Sequence, residues 1–197
     1  MNEDQLLRRL RAHDERAFSA LVLTHQTRVY NLCLRMVGHT AEAEDLAQDV
    51  FIKAFQAIDR FRGDSLLSTW LYRIAINLCK NRLKYLGRRG RGRSASLQDV
   101  HEGALGQSGA SDRPLGEDLP RPDRVLEGRQ ANDHVQAALD AVDPEFRELL
   151  VLRDIEGLSY ADIVGITGLA VGTVKSRLHR ARHALREAYI AAGGELC

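Results

Sequence analysis

Apolar residues recur along this chain at spacings of three and four, and no segment sustains a period-two alternation of apolar and polar residues. The first spacing places apolar side chains on one face of an α-helix, whereas alternation is typical of a β-strand. The pattern therefore predicts an all-α fold. Helices are predicted over 3–13, 15–36, 41–61 and 68–86 in the first half of the chain, and over 125–141, 145–154, 160–167 and 171–191 in the second.

Short polar signals mark where several of these helices begin and end. Gly38 can end the second helix in a left-handed conformation, and Thr40 can cap the third. Asp143 stands before a proline, as an N-cap residue before the first helical position often does. Ser159 and Asp162 have the spacing of a capping box. These signals support the predicted helix order independently of the apolar pattern.

The apolar pattern dissolves between the two halves of the chain. Gly, Ser, Pro, Asp and Arg dominate from 88 to 128, and large apolar residues are few. Such a composition buries too little apolar surface to offset the entropy lost on ordering, so a flexible linker is predicted there. Two small helical domains are expected on either side of it, a four-helix domain at 1–87 and a helix-turn-helix domain at 129–197.

Composition and motifs exclude several classes of protein. The 197 residues carry a net charge of only +1, so any contact with DNA must be local, and two cationic runs, at 82–93 and 175–186, could supply it. Three cysteines without a CxxC spacing argue against a disulfide framework or a zinc site. The sequence also lacks the nucleotide-binding and nucleophile motifs of enzymes, so neither catalysis nor a cofactor is expected.

Neither a membrane segment nor a metal site is predicted. The N-terminus is charged from its first residues, and no apolar run reaches the roughly 20 residues that cross a bilayer. His179 and His183 lie four apart, as metal-binding pairs do, but the sequence places no third ligand near them. The chain is therefore expected to be soluble and cytoplasmic.

The last two predicted helices are separated by a short turn at Gly168, which is the geometry of a helix-turn-helix. Val174 and Leu178 begin the apolar stripe of the second helix. The opposite face is polar and basic, and its first residues would enter the major groove of DNA. The alternative is a solvated basic face without a ligand. The residues of the candidate DNA-reading face are Thr173, Lys175, Ser176, His179 and Arg180.

A second candidate for nucleic-acid binding is the segment 61–83, FRGDSLLSTWLYRIAINLCKNRL. It combines a polar loop, aromatic residues, amides and cations within a few turns. Single-stranded DNA needs all four, because an unstacked base requires a pocket, a ring for stacking and amides for its edges, while phosphates require cations. Trp70 can instead belong to the core, and Leu66 and Leu67 can either plug the core or line a base pocket.

Three segments resemble the sigma factors of the extracytoplasmic-function group of the sigma-70 family, of the sigma-E type. The segment 43–55, AEDLAQDVFIKAF, resembles the helix that grips the polymerase β′ clamp. The segment 61–83 resembles the promoter-melting segment. The segment 158–185, LSYADIVGITGLAVGTVKSRLHRARHAL, resembles the region-four helix-turn-helix. Their order, with a linker between, is that of the family.

The resemblance implies a role for each segment. Core-polymerase contact falls on Asp45, Gln48, Asp49 and Phe51, for which a solvated acidic stripe is the alternative; Phe51 and Phe55 can instead belong to the core. Contact with the minus-ten element falls on Lys53, Phe61, Arg62, Gly63, Asp64, Ser65, Arg73, Asn77 and Asn81, with Phe61 walling the pocket for a flipped base. The basic face of the last helix would read the minus-thirty-five element.

The implied function is to bind core RNA polymerase through its β′ clamp and β flap, direct it to promoters and help to melt the DNA. The implied partners are polymerase, promoter DNA and an anti-sigma factor, which would hold the chain at the inner membrane if it is itself membrane-bound. No small-molecule substrate is implied. A stand-alone operator-binding regulator is the main alternative, but it would leave the segment 61–83 unexplained.

Overall fold

The structure is a computed structural model that describes residues 3–90 and 122–194, without side chains at 89–90 and 122–131. All regular secondary structure in these ranges is helical, which confirms the predicted all-α class. A 3-10 turn at Ile58–Arg60 extends the third α-helix, and a π-helical turn at Val151–Ile155 extends the sixth. The α-helices are α1 Glu3–Arg11, α2 Glu15–Val37, α3 Thr40–Ala57, α4 Leu67–Gly90, α5 Pro122–Ala141, α6 Pro144–Leu150, α7 Tyr160–Thr167 and α8 Val171–Ala191.

Most of the predicted caps are present. Gly38 ends α2 with φ +78°, Asp143 accepts a hydrogen bond from the backbone N–H of Glu145 at 2.8 Å, and Ser159 with Asp162 forms the capping box. The prediction for Thr40 was wrong, because it is the first helical residue of α3. His39 stands in the N-cap position instead. Its backbone is extended and leads from Gly38 into the helix, and its side chain makes no capping hydrogen bond.

The predicted linker is helical at both ends. Helix α4 continues to Gly90, and α5 begins at Pro122. Proline suits the first helical turn because it lacks only an N–H that would have no partner there, and a glycine inside a helix costs only about 1 kcal/mol. The rest of the linker prediction, 91–121, lies outside the described residues.

The first lobe consists of α1 to α4 and the second of α5 to α8. In the first, α2, α3 and α4 pack around fully buried side chains such as Leu32, Val50 and Leu71. In the second, α8 packs against α5, α6 and α7 around Leu149 and Leu178. The buried side chains of these helices recur at spacings of three and four, as the sequence predicted for amphipathic helices.

The two lobes are in contact, and their buried residues form one continuous cluster. Arg147, 5% exposed, donates a hydrogen bond to the Met36 carbonyl at the end of α2 at 2.6 Å and another to Asp140 Oδ1 at 3.0 Å. Two side-chain pairs reinforce the contact from α4: Tyr72 with Glu156 and Lys80 with Glu148. This set is called the interlobe contact below.

We predict that Gly38→Ala destabilises the protein more than Gly168→Ala. Both glycines have φ near +75°, where alanine costs about 1–2 kcal/mol. A Cβ at Gly168 would meet nothing within 4 Å, whereas one at Gly38 would stand 2.5 Å from Asp140 Oδ2, in a carboxylate that Arg147 holds. Urea unfolding of both variants measures the difference in unfolding free energy. Equal losses would show that Asp140 moves away freely.

Candidate nucleic-acid interface

The loop that leads into α4 has a buried start and an exposed centre. Phe61 is only 6% exposed, and its ring packs on Trp70 with 4.9 Å between centroids. The expectation that Phe61 walls a base pocket stays a prediction, and in the structure its ring points inward from the extended backbone after the 3-10 turn. The exposed residues are Arg62, Gly63, Asp64 and Ser65.

The structure separates the apolar residues that the sequence left open. Leu66 is 60% exposed, whereas Leu67 is 2% exposed and belongs to the core. Trp70 is half-buried and packs against the core as well as on Phe61. Leu66 is therefore the apolar residue of this loop that can meet a ligand, and Trp70 serves as a support for the loop.

One face of α4 carries polar groups into solvent. Arg73, Asn77 and Asn81 follow at spacings of four and are all exposed, as is Lys53 on α3. Within the parts of the chain that the structure describes, none of these four side chains forms a hydrogen bond or an ion pair. Their donors and acceptors are available to a ligand without breaking an internal contact.

Two other polar residues of α4 face the second lobe instead. Tyr72 is buried and donates a hydrogen bond to Glu156 at 2.7 Å, and Lys80 bonds Glu148 at 2.9 Å. Burial, helped by the Glu156 carboxylate, raises the pKa of the Tyr72 phenol. Tyr72 is thus part of the interlobe contact and presents no ring for base stacking in this arrangement.

The acidic face of α3 forms a shallow cavity of about 300 Å³. The structure brings Asp45, Gln48 and Asp49 together there, but Phe51 turns toward the core and is half-buried. Of the two apolar residues that line this cavity, Leu46 is buried and Ile52 is 53% exposed. Helical spacing in the sequence could have indicated Ile52 in place of Phe51. Positions 45, 48, 49 and 52 share one helix face at spacings of three and four, whereas position 51 lies outside that face.

The edge of this cavity is formed by an ion pair between α3 and α4. Arg82 donates a hydrogen bond to the Glu42 carboxylate, and this contact raises the pKa of Arg82. Arg82 stands in the first cationic run of the sequence, yet it is engaged within the lobe. The charge of Asp45 contributes to the same rise, so Arg82 is the cation at the edge of an otherwise acidic cavity.

The candidate DNA-reading face of α8 lies on the exposed side of that helix. Lys175, Ser176, His179 and Arg180 are exposed, while Thr173 is half-buried and its carbonyl accepts a hydrogen bond from Ser176. The Lys175 ammonium lies 5.5 Å above the ring of Tyr160 on α7, and the Arg180 guanidinium 5.8 Å from the ring of Phe146. These cation–π contacts restrict the Lys175 and Arg180 side chains, and each stabilises the observed orientation only modestly.

Two further cations of α8 are engaged by carboxylates of the same lobe. Arg177 bonds Glu145 at 2.7 Å, and Arg182 binds both oxygens of Asp154 at 2.9 and 2.6 Å. The partners are 32 and 28 positions apart in sequence, so no local spacing could have indicated these pairs. The basic run at 175–186 is thereby divided into engaged and available cations.

The described residues hold no group of three or more His, Cys, Asp or Glu side chains that could bind a metal ion. No helix among them is both long enough and apolar enough to cross a membrane. The two described cysteines, Cys33 and Cys79, are buried free thiols between α2 and α4. A hydrogen bond with Cys33, together with burial, raises the pKa of the Cys79 thiol.

Comparison with known proteins gives the family. Models described as Sigma-70 region 2 and Sigma-70, region 4 match residues 21–89 and 133–185. The RNA polymerase sigma-H factor of Pseudomonas aeruginosa is 40% identical over 188 residues, and the ECF RNA polymerase sigma-E factor of Escherichia coli K12 is 35% identical over 185; each match spans 94% of this chain and 93% of the relative. This chain is an extracytoplasmic-function sigma factor.

Solved structures agree with the fold of this sigma factor. The sigma factor RpoE of Bartonella quintana, solved in complex with the anti-sigma factor NepR, superposes with a TM-score of 0.61 at 25% identity, covering 87% of this chain and 95% of that one. As a family member, the protein binds core RNA polymerase, directs it to promoters and helps to melt the DNA. It is a transcription initiation factor and not an enzyme.

Proposed function

We propose that this sigma factor opens its promoter by capturing an unpaired base of the minus-ten element on the loop Arg62, Gly63, Asp64 and Ser65. The observation that carries the proposal is the combination of exposed hydrogen-bonding groups with a fixed aromatic support, Phe61 on Trp70. Unstacking a base costs a few kcal/mol, which contacts in the loop must offset. Because the rings of Phe61 and Trp70 are already packed, they lose little conformational entropy when a base binds, and less of the binding energy is offset.

The exposed face of α4 contacts the DNA just upstream of the captured base. Asn77 and Asn81 offer amides, which can bond two edge atoms of an adenine, and Arg73 and Lys53 offer cations for phosphates. Arg73, Asn77 and Asn81 are available because the interlobe contact uses other positions of α4, and Lys53 is exposed on the neighbouring α3. The first lobe therefore has a base-capturing loop and a duplex-contacting face next to each other.

The polymerase-binding surface is the α3 cavity of Asp45, Gln48 and Asp49, with Ile52 in the role first expected of Phe51. An acidic rim around an exposed apolar side chain suits a basic partner such as the β′ clamp. Ile52 provides the apolar anchor, and the carboxylates provide orientation and speed of association.

The second lobe reads the minus-thirty-five element with the start of α8, where Thr173, Ser176 and His179 meet base edges and Lys175 and Arg180 meet bases or phosphates. The domain 1–87 binds the minus-ten element and the domain 129–197 binds the minus-thirty-five element. The segment between the two domains spans the distance between these DNA sites. An anti-sigma factor controls the protein in the cytoplasm. The relative solved with NepR supports this control, and here the contact between the lobes would let one partner cover both DNA-binding surfaces.

The polymerase surface predicts that Ile52→Ala weakens binding to core polymerase by about tenfold, since it removes most of an apolar anchor. Competition for fluorescently labelled core polymerase measures the affinity. Glu44→Gln is the matched control, because Glu44 is an exposed acid of α3 that does not line the cavity. A comparable loss in both variants would mean that the effect is spread over α3 and does not come from this cavity.

The proposed duplex contact of α4 predicts that Asn77→Ala reduces promoter opening at unchanged affinity for polymerase. A lost bidentate base contact costs about 1–3 kcal/mol, which corresponds to roughly five- to hundredfold fewer open complexes. Permanganate reactivity of unpaired thymines reports opening, on a promoter that the wild-type holoenzyme selects from randomised DNA. Asn31→Ala, an equally exposed amide on α2, should open it normally. Normal opening by Asn77→Ala would contradict the assignment.

The pairing of cations on α8 predicts different salt dependences for two variants. Lys175→Ala should reduce the slope of log affinity against log salt by about 1, because one phosphate contact is lost. Arg177→Ala should leave the slope unchanged, since Glu145 already engages that guanidinium. Holoenzyme binding to the selected promoter between low and moderate salt measures both. Identical slopes in the two variants would reject this division of the cations.

A further inference from the structure

Helix α1 contacts the loop that leads into α4 at its start, its centre and its end. The helix lies outside the match to Sigma-70 region 2, which begins at residue 21, so no role follows for it from that match. The loop spans 61–66, and it is anchored to the folded body through its own ends and through α1. The contacts with α1 come from three successive turns of that helix.

The end of the loop is held by Glu3. Its Oε1 accepts a hydrogen bond from the backbone N–H of Leu67, the first residue of α4, at 2.8 Å. The first N–H groups of a helix have no partner within the helix, and its N-terminus carries a partial positive charge. A carboxylate from 64 positions away therefore serves α4 as a capping group.

The start and the centre of the loop are held by Arg11 and Leu7. Arg11 Nη2 donates a hydrogen bond to the Phe61 carbonyl at 2.5 Å. Gly63 has φ +83°, and a Cβ placed on it would stand 3.7 Å from Leu7 Cδ2, so the Leu7 methyl group lies near the centre of the loop. Two backbone groups and one apolar contact thus fix the path of the chain around the candidate pocket.

The helix is itself fixed to the body of the lobe. Leu10 is fully buried in the core. In the turn after α1, His13 Nε2 lies 3.4 Å from Asp59 Oδ2, and the His13 ring meets Phe55 edge-on with 5.2 Å between centroids. Because α1 is anchored to the core and to the segment just before the loop, its contacts can transmit the rigidity of the core to the exposed residues.

We propose that α1 is a brace that holds the base-capturing loop in its binding conformation, with Glu3 and Arg11 as positioning residues. Ordering a flexible loop costs backbone entropy, and a loop that is already ordered does not lose that entropy on binding. The inference rests on the proposed base capture. A helix that merely stabilised the lobe would lower binding to every template alike.

The test uses full-length protein in holoenzyme, with forked promoter DNA of the selected sequence. Each non-template position of the minus-ten element is either intact or abasic. The variants are Glu3→Ala and Arg11→Ala, with Arg8→Ala as control, since Arg8 is an exposed cation of α1 that bonds Asp4 O within its own helix at 3.4 Å. Glu3→Gln and Arg11→Lys keep an acceptor and a donor, and thermal unfolding confirms that each variant is folded.

We expect Glu3→Ala and Arg11→Ala to bind the intact fork about five- to tenfold more weakly than wild type, but to equal it on the fork that lacks the captured base. Arg8→Ala should match wild type on both, and the two conservative variants should recover part of the loss. Equal weakening on intact and abasic forks would overturn the brace alone. If wild type itself gains nothing from any base, base capture fails, and the brace with it.

Discussion

The buried guanidinium of Arg147 is the interaction on which the arrangement of the two lobes depends. It donates to the Met36 carbonyl at the end of α2, to Asp140 at the end of α5, and to the Val142 carbonyl in the turn between α5 and α6. Burial lowers the pKa of Arg147, and Asp140 and Asp143 partly offset this effect. Moving a charge out of water is costly unless hydrogen bonds replace the solvent. Here backbone carbonyls of both lobes accept hydrogen bonds from Nη1 and Nη2, while the buried Nε has no partner among the described residues.

Ion pairing decides which cations of this nearly neutral chain can meet DNA. Arg82, Arg177 and Arg182 are engaged by carboxylates that fold close to them, while Arg73 and Lys175 remain exposed. Each exposed pair adds little to stability, because solvent screens it. The pairs nevertheless limit which cations of α4 and α8 can meet phosphates, which fits a protein that must contact DNA at separate elements rather than along its whole length.

Much of the fold could be predicted from sequence because it follows from local rules. The αL cap at Gly38, the N-cap at Asp143 and the spacing of three and four depend on neighbours within a few residues. Which residues of the candidate site face a ligand was harder to predict, because the orientation of a side chain at the end of a helix depends on where the chain turns. Phe61 turned inward after a 3-10 turn, and Phe51 stands one position from the face that Ile52 occupies.

The sequence alone determined the helical class, the two-part layout and the segments that carry the chemistry, since periodicity, caps and family motifs are written in consecutive residues. Tertiary structure decided which members of those segments are available. The bonds from Glu3 to Leu67, from Arg11 to Phe61 and from Tyr72 to Glu156 join residues 50 or more positions apart. No local pattern encodes such pairs, because their geometry exists only after the apolar stripes of distant helices have packed together.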